Sequence, residues 1–520
     1  MSLAAAWLPI LALHAAWLGT GLGSFGALRG TRAWPPLLAL PAAYFAGALL
    51  HVLALHVLML TLGPGFPTQP FVWLLVSAGL LVLPFAVWRR SRARAQDRVD
   101  RVDRVDRVNG VNGVDGVDGV PAELPRRRFD ALLALLLLPP LALIAVQLVG
   151  LPDVSYDSVA FWNAKGAWLF HGARLDGSDG SAEVFADPRR LHANPDYPLY
   201  RPMLALAQYS VLGAVDDHAA KPGFLLHLLA GLALLYALLR DAAGRTAALL
   251  ALGLLLWTPI MAAASIPGSP GTTYVDFPLG LQFAASLGFL LRALRTRCGA
   301  DVGAAMAAAA SAALMKNEGS IWCALLVPLG ACALLLGWST RRTDGGAEHA
   351  AAVTHGHRTQ HASRALRAPW LALLWLALPV AVLAAWKTLA ARFVPQIYIR
   401  PPTPAQIVRL PEIAPAMAAG WWHSLLELRL WGVLGPVLLT ACAIGALRHL
   451  RMDRERLARL ALALVLLGQL WAVLLGVMLL EIQKGGLDNW MAHAWDRLIL
   501  QLVPPALLLA VALNTRRAAR

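Results

Sequence analysis

Two carboxylates and a small set of cations stand out in this sequence because so little else in it is charged. Asp157 opens the stretch SYDSVAFWNAKGAW, with Phe161 at i+4 and Lys165 at i+8. On a helix those three share a face. At 1.5 Å per residue, acid and lysine lie about 12 Å apart along the axis. That is too far for a mutual ion pair but suits flanking a bound substrate. A second acid, Asp276, sits in SIPGSPGTTYVDFP, where glycines and prolines break helix. A carboxylate held where lipid meets water can act as general base toward a hydroxyl. Lys165, Arg201, Lys316, Lys484 and Arg497 can take up a phosphate. Each has a plainer role beside it: a helix N-cap for Asp157, solvated charge at a helix end for any single lysine. If Asp157 and Asp276 converge, they can also hold a divalent cation through oxygen ligands.

The elements that must position these residues are apolar helices. The chain has 520 residues, 58% hydrophobic and only 14% charged, with a mean hydropathy of +0.59. Crossing about 30 Å of hydrocarbon takes roughly 20 apolar residues, and the sequence offers many such runs. The short alternating segments of a β-barrel are missing. The expected class is an all-α polytopic membrane protein. The net charge of +15 does not point to nucleic acid, because the arginines gather in short loops between apolar runs, as in cytoplasmic loops.

That arginine bias orients the spans. The first three run from about 3 to 23, 35 to 62 and 70 to 88, with the N-terminus outside. A DRV/NGV/DGV repeat from Asp97 to Val120 fits neither helix nor strand period and reads as an expanded cytoplasmic insert. The next span, about 129 to 149, follows Arg126, Arg127 and Arg128 and so runs outward. This places the polar loop 151–200 outside. Residues 197–213 carry Arg201 and two prolines, and are expected to lie at the outer surface or dip back. Alternation then continues to the end of the chain through a Pro-rich outer loop, Arg392 to Gly420, giving about thirteen spans. Three units result: 1–88, an N-terminal three-span extension; 89–128, the insert; and 129–513, the catalytic membrane domain.

With this sidedness the outer face collects Asp153, Asp157, Lys165, His192, Asp196, Tyr197, Arg201, Asp276, Lys316, Glu318, Lys484, Asp488, His493, Asp496 and Arg497. Only five of the 45 basic residues are lysines, and all five, with Lys221 and Lys387, fall on or near that side. Trp162 and Trp168 read as anchors at the membrane surface. Three of the four cysteines lie in apolar runs and none pair at metal spacing. His349, His355, His357 and His361 sit in a low-complexity loop and read as solvated. Ionisable residues in the outer loops, without an inverted repeat, favour an enzyme over a transporter or flippase.

YDSVAFWNAKGAW after an outward span, YPLYRP after a polar loop, TYVDFP in the second outer loop and AHAWDRL before the last span together resemble the GT-C superfamily of polytopic membrane glycosyltransferases. Protein O-mannosyltransferases and lipid A aminoarabinose transferases are of this type. KNEGS is similar to a segment of uncharacterised bacterial members. The resemblance covers roughly 129 to 510 and implies a bacterial inner-membrane enzyme with an extracytoplasmic site. It further implies a polyprenyl-phosphate sugar donor, a glycan, lipid or protein acceptor, and inversion at the sugar carbon. Asp157 matches the first-loop acid used as base, Asp276 the second-loop acid, and Arg497 the late arginine that binds the donor phosphate. Tyr197 and Pro198 stand where the family has a Tyr-Pro-Pro-Leu-like stretch; YPLYRP displaces one proline. Some relatives need a metal and others do not.

Overall fold

The computed structural model of the chain describes residues 3–27, 34–61, 68–109, 123–152, 158–171, 197–262, 268–296, 298–335, 369–393, 402–448, 454–484 and 487–515. Asp153, Asp157, His192, Asp196 and the four-histidine loop lie outside these residues. So do the side chains of Lys484, Asp488 and His493.

Long Leu- and Ala-rich runs make helix because both residues favour it intrinsically. In lipid, moreover, every backbone group must find its partner within the segment. The helices are α1 (Leu3–Ala27), α2 (Pro36–Thr61), α3 (Thr68–Asn109), α4 (Glu123–Leu136), α5 (Leu138–Ala145), α6 (Ala164–Phe170), α7 (Tyr200–Leu212), α8 (Asp217–Ala243) and α9 (Arg245–Leu256). They continue with α10 (Asp276–Thr296), α11 (Gly299–Met315), α12 (Asn317–Leu335), α13 (Pro369–Phe393), α14 (Leu410–Leu426), α15 (Leu434–Arg448), α16 (Arg454–Lys484) and α17 (Leu487–Asn514). No strand occurs among the described residues. Nine helices there are long and apolar enough to cross a membrane, and four shorter apolar helices accompany them. The chain is an all-α polytopic membrane protein.

One hydrophobic core runs from Ile10 in α1 to Leu513 in α17. The N-terminal helices are therefore packed into the same body as the rest, with α1 and α2 on α8 and Trp34 stacked 5.1 Å from Phe289 of α10. Glycine lets α1 and α2 approach closely: a Cβ at Gly21 would collide with the Ala43 carbonyl, and one at Gly47 with that of Trp17. The centre is α10, buried along almost its whole length. Alanine-rich α11 packs against it with nearly every residue buried.

α11 returns antiparallel along α10, whereas α8 and α17 run parallel to it. At one end Arg292 and Arg295 of α10 bind Asp241 of α8, and Arg292 also binds Asp301 of α11. At the opposite end lie the first turn of α10, the α11–α12 junction and the early part of α17.

Four expectations change. Residues 200–211 do not lie at a surface; α7 is buried from Tyr200 to Val211 between α6, α8 and the N-terminal helices. An apolar helix gains as much from protein neighbours as from lipid, so hydropathy does not tell the two apart. The first part of the repeat is helix, since α3 continues to Asn109, the last residue described in that stretch. The Pro-rich loop holds helices Pro404–Val408 and α14; Pro404 and Pro411 fall in first turns, where no N–H is needed, while Pro415 lies inside α14. Ser158–Asn163 is a widened π-turn ahead of α6, so the i, i+4, i+8 face expected through Lys165 does not continue at α-helical spacing.

Candidate functional site

The second-loop acid is the hub of the site. Asp276 is the first residue of α10, where a carboxylate suits the positive end of the helix dipole, and Pro278 two residues later costs no hydrogen bond. Its side chain has no exposed surface. Lys316 Nζ donates to Asp276 Oδ1 at 2.9 Å and Gln501 Nε2 to the same oxygen at 2.6 Å. Arg497 Nε and Nη2 both reach Oδ2 at 3.1 Å.

Each partner is placed by a simple local device. Lys316 is the extended residue that ends α11, its N–H still bonded to the Ala312 carbonyl. Arg497 and Gln501 are one turn apart on α17, so they share a face. Glu318, on the first turn of α12, holds the far side of Lys316 Nζ at 3.0 Å, and Gln469 of α16 donates to the Glu318 carbonyl at 3.1 Å. The loop before α10 closes over the cluster. Tyr274 lies with its ring centroid 4.6 Å from the Arg497 guanidinium carbon. Gly268, at φ +88°, sits where a Cβ would come within 3.1 Å of Arg497 Cγ.

An aromatic step leads on to the first-loop residues. Lys316 Nζ is 6.0 Å from the Tyr197 ring, which stacks on Trp162 at 5.8 Å and 16°. Lys165 Nζ is 5.9 Å from the other partner in that stack, Trp162. Arg201 donates to Asn163 Oδ1 at 2.9 Å and to the Thr273 carbonyl at 3.3 Å, over the ring of Phe224. Asp276, Lys316, Glu318 and Arg497 thus make one ion cluster, joined through Tyr197 and Trp162 to Lys165, with Arg201 tied to both adjoining segments. Asp157 lies outside the described residues, as does the side chain of Lys484.

Burial corrects several roles. Trp162 is fully buried and is a stacking partner rather than a surface anchor. Lys165, Lys221 and Lys316 are buried, so they are not a solvated rim. Lys221 Nζ donates to the Leu151 carbonyl, and Lys387 reaches Asn317 Oδ1 at 3.2 Å. Asp276 does not fit the role of metal ligand. Four N–H contacts already meet its two oxygens, and a divalent ion would have to displace both cations. Among the described residues no three His, Cys, Asp or Glu side chains group to hold a metal. The sequence reading missed Gln501, Gln469 and Asn163. Glutamines inside apolar runs were the available signal, since a buried amide needs a partner.

Burial works against the Lys316 charge, but the Asp276 and Glu318 carboxylates outweigh it and hold the ammonium above the ordinary value of 10.5. A base raised in the folded state contributes its full stability below the unfolded value and loses it as pH climbs through the folded one. The stability difference between wild type and Lys316→Met is therefore expected to stay constant from neutral pH to about 10.5 and to shrink only above it. Thermal unfolding at several pH values reads this directly; a difference already shrinking by about pH 9 contradicts it.

Searched against protein-family models, curated proteins and solved structures, the chain matches none.

Proposed function

We propose that the chain is a GT-C-like glycosyltransferase of the bacterial inner membrane. It moves a sugar from a polyprenyl phosphate to a hydroxyl of a glycan, lipid or protein acceptor on the extracytoplasmic face, with inversion. The nine long spans and four shorter apolar helices together make the thirteen crossings of this reading, with the Asp276 end outside.

The observation that carries it is the junction of Asp276 with Lys316 and Arg497, 40 and 221 residues away, at one end of the bundle. Cations gathered beside a buried aromatic stack, at the level where helices end, suit a lipid phosphate whose sugar projects into water. Around it, Lys165, Arg201, Lys316 and Arg497 outnumber the carboxylates Asp276 and Glu318 among the described residues. Asp276 acts by orienting Lys316 and Arg497 rather than by taking a proton. That leaves the base to Asp157, which removes the acceptor hydroxyl's proton as the oxygen attacks the sugar carbon and the phosphate leaves with the bonding pair.

Asp157→Asn is expected to fold normally and to lower transfer by about 10²–10⁴-fold, the usual contribution of a general base. Membranes containing the variant, supplied with lipid-linked sugar, give the measurement, and unchanged turnover sinks the assignment. A second reading, a transporter or flippase of lipid-linked sugars, draws support from one observation. His14, Tyr44 and His227 form a polar chain inside three spans, as transporters place such groups. A covalent product joining sugar to acceptor decides between the two.

A further inference from the structure

Behind the ion cluster, α7, α8 and the loop before α10 line a partly open cavity of about 40 Å³. Its walls are mostly apolar, among them Leu204, Phe224 and Met315, and its polar members include Arg201, Tyr200 and His227. At roughly 10–15 Å³ for each water, it has room for about three.

His227 is 6% exposed. Its Nδ1 is turned to Tyr44 Oη of α2, 3.2 Å away, and the same oxygen lies 2.8 Å from Nδ1 of His14 on α1. His227 Nε2 is buried and has no hydrogen-bond partner among the described residues. Because Nδ1 faces Tyr44, Nε2 is the nitrogen on the opposite side of the ring, left for the cavity. A buried ring nitrogen without a partner is costly.

The phenol has one hydrogen, so it donates to one Nδ1 and accepts from the other. One histidine is thus the Nδ1–H tautomer and the other the Nε2–H tautomer. Gly223 makes the arrangement possible, because a Cβ there would strike the Gln208 amide and come within 3.1 Å of His14 Nε2.

We propose that this cavity is a hydroxyl-binding site. Water, or the alcohol group of a bound molecule, hydrogen-bonds to His227 Nε2, while Tyr44 and His14 hold the tautomer it meets. A hydroxyl both donates and accepts, so it answers either tautomer. The N-terminal helices thereby reach the site through Tyr44, a positioning residue. The proposal does not depend on glycosyl transfer.

Met315 and Met306 provide an internal comparison, because both are buried on α11, at 2% and 0% exposure, and only Met315 lines the cavity. X-ray radiolysis of the purified full-length protein in ¹⁸O-water is expected to oxidise Met315 several-fold faster than Met306. His227→Leu is expected to bring the two rates together. Ethanol as probe separates the sources: if it lowers the Met315-to-Met306 ratio, an alcohol enters the site, and if the ratio holds, water is the occupant. Equal rates in the wild-type protein overturn the proposal. Nitrogen-15 NMR of labelled histidines tests the positioning role. The wild type is expected to show one tautomer at His227 and Tyr44→Phe a mixture, with His56 unchanged; an unaltered His227 signal overturns it.

Discussion

Asp276→Asn is expected to destabilise the protein by about 3–5 kcal/mol, the range for removing one partner of a buried ion pair. The carboxylate has no exposed surface, and the side chains of Lys316 and Arg497 are 5% and 19% exposed. With the charge gone, two cations face each other across a neutral amide. Asparagine keeps one accepting oxygen for Lys316 or Gln501, but its NH₂ group then points at the Arg497 guanidinium, donor against donor. Glu318 lies 3.0 Å from Lys316 and offsets part of the loss at that residue, none at Arg497. Thermal unfolding in detergent measures the effect. Lys316→Met in the same chain is expected to recover part of it, because the second change removes one of the uncompensated charges. A double-mutant cycle then gives a coupling of at least about 1 kcal/mol. Asp276→Asn within about 0.5 kcal/mol of wild type, the scale of ordinary surface changes, rules out Asp276 as the hub.

Asp276, Lys316, Glu318 and Arg497 could be picked out of the sequence because ionisable residues are conspicuous in an apolar chain, and the arginine bias sorts them to one side. Sidedness is a coarse coordinate, however. It brings fifteen polar residues to one face without saying that Lys316 and Arg497 share a single carboxylate, which only the packing of α10, α11 and α17 decides. Gln501 stayed hidden although it lies one turn from Arg497, because a glutamine carries no charge for the topology to sort. The His14–Tyr44–His227 chain had no local pattern at all, since its members come from three helices and meet only where α1, α2 and α8 cross. For α7 the difficulty was physical. Its residues are as compatible with lipid as with a protein interior, and Arg201, which argued for a surface, instead donates to Asn163 and the Thr273 carbonyl. Hydropathy reports that a segment avoids water, not what replaces the water.

Gly319→Ala is the second change with a large expected effect, and it acts on the same cluster from the backbone. Gly319 sits in the first turn of α12, its N–H bonded to the Lys316 carbonyl at 3.0 Å. A Cβ there would collide with the Ala312 carbonyl of the preceding helix. The obstacle is backbone, so no side chain can rotate away; the α11–α12 junction must move. That junction carries both Lys316 and Glu318, and a shift large enough to clear the Ala312 carbonyl lengthens the 2.9 Å contact to Asp276. Overpacking of this kind costs about 1–3 kcal/mol. Gly330→Ala in the same helix is the control: a Cβ there meets the terminal methyl of Met306 at 3.0 Å, a flexible group, and alanine favours helix by up to about 1 kcal/mol over glycine. It should be near neutral. Because the Gly319 effect is transmitted through Lys316, Gly319→Ala and Asp276→Asn together are expected to cost less than the sum of each alone, by more than about 0.5 kcal/mol. Strict additivity would mean that the junction is merely packed and that the site does not depend on where it holds the lysine.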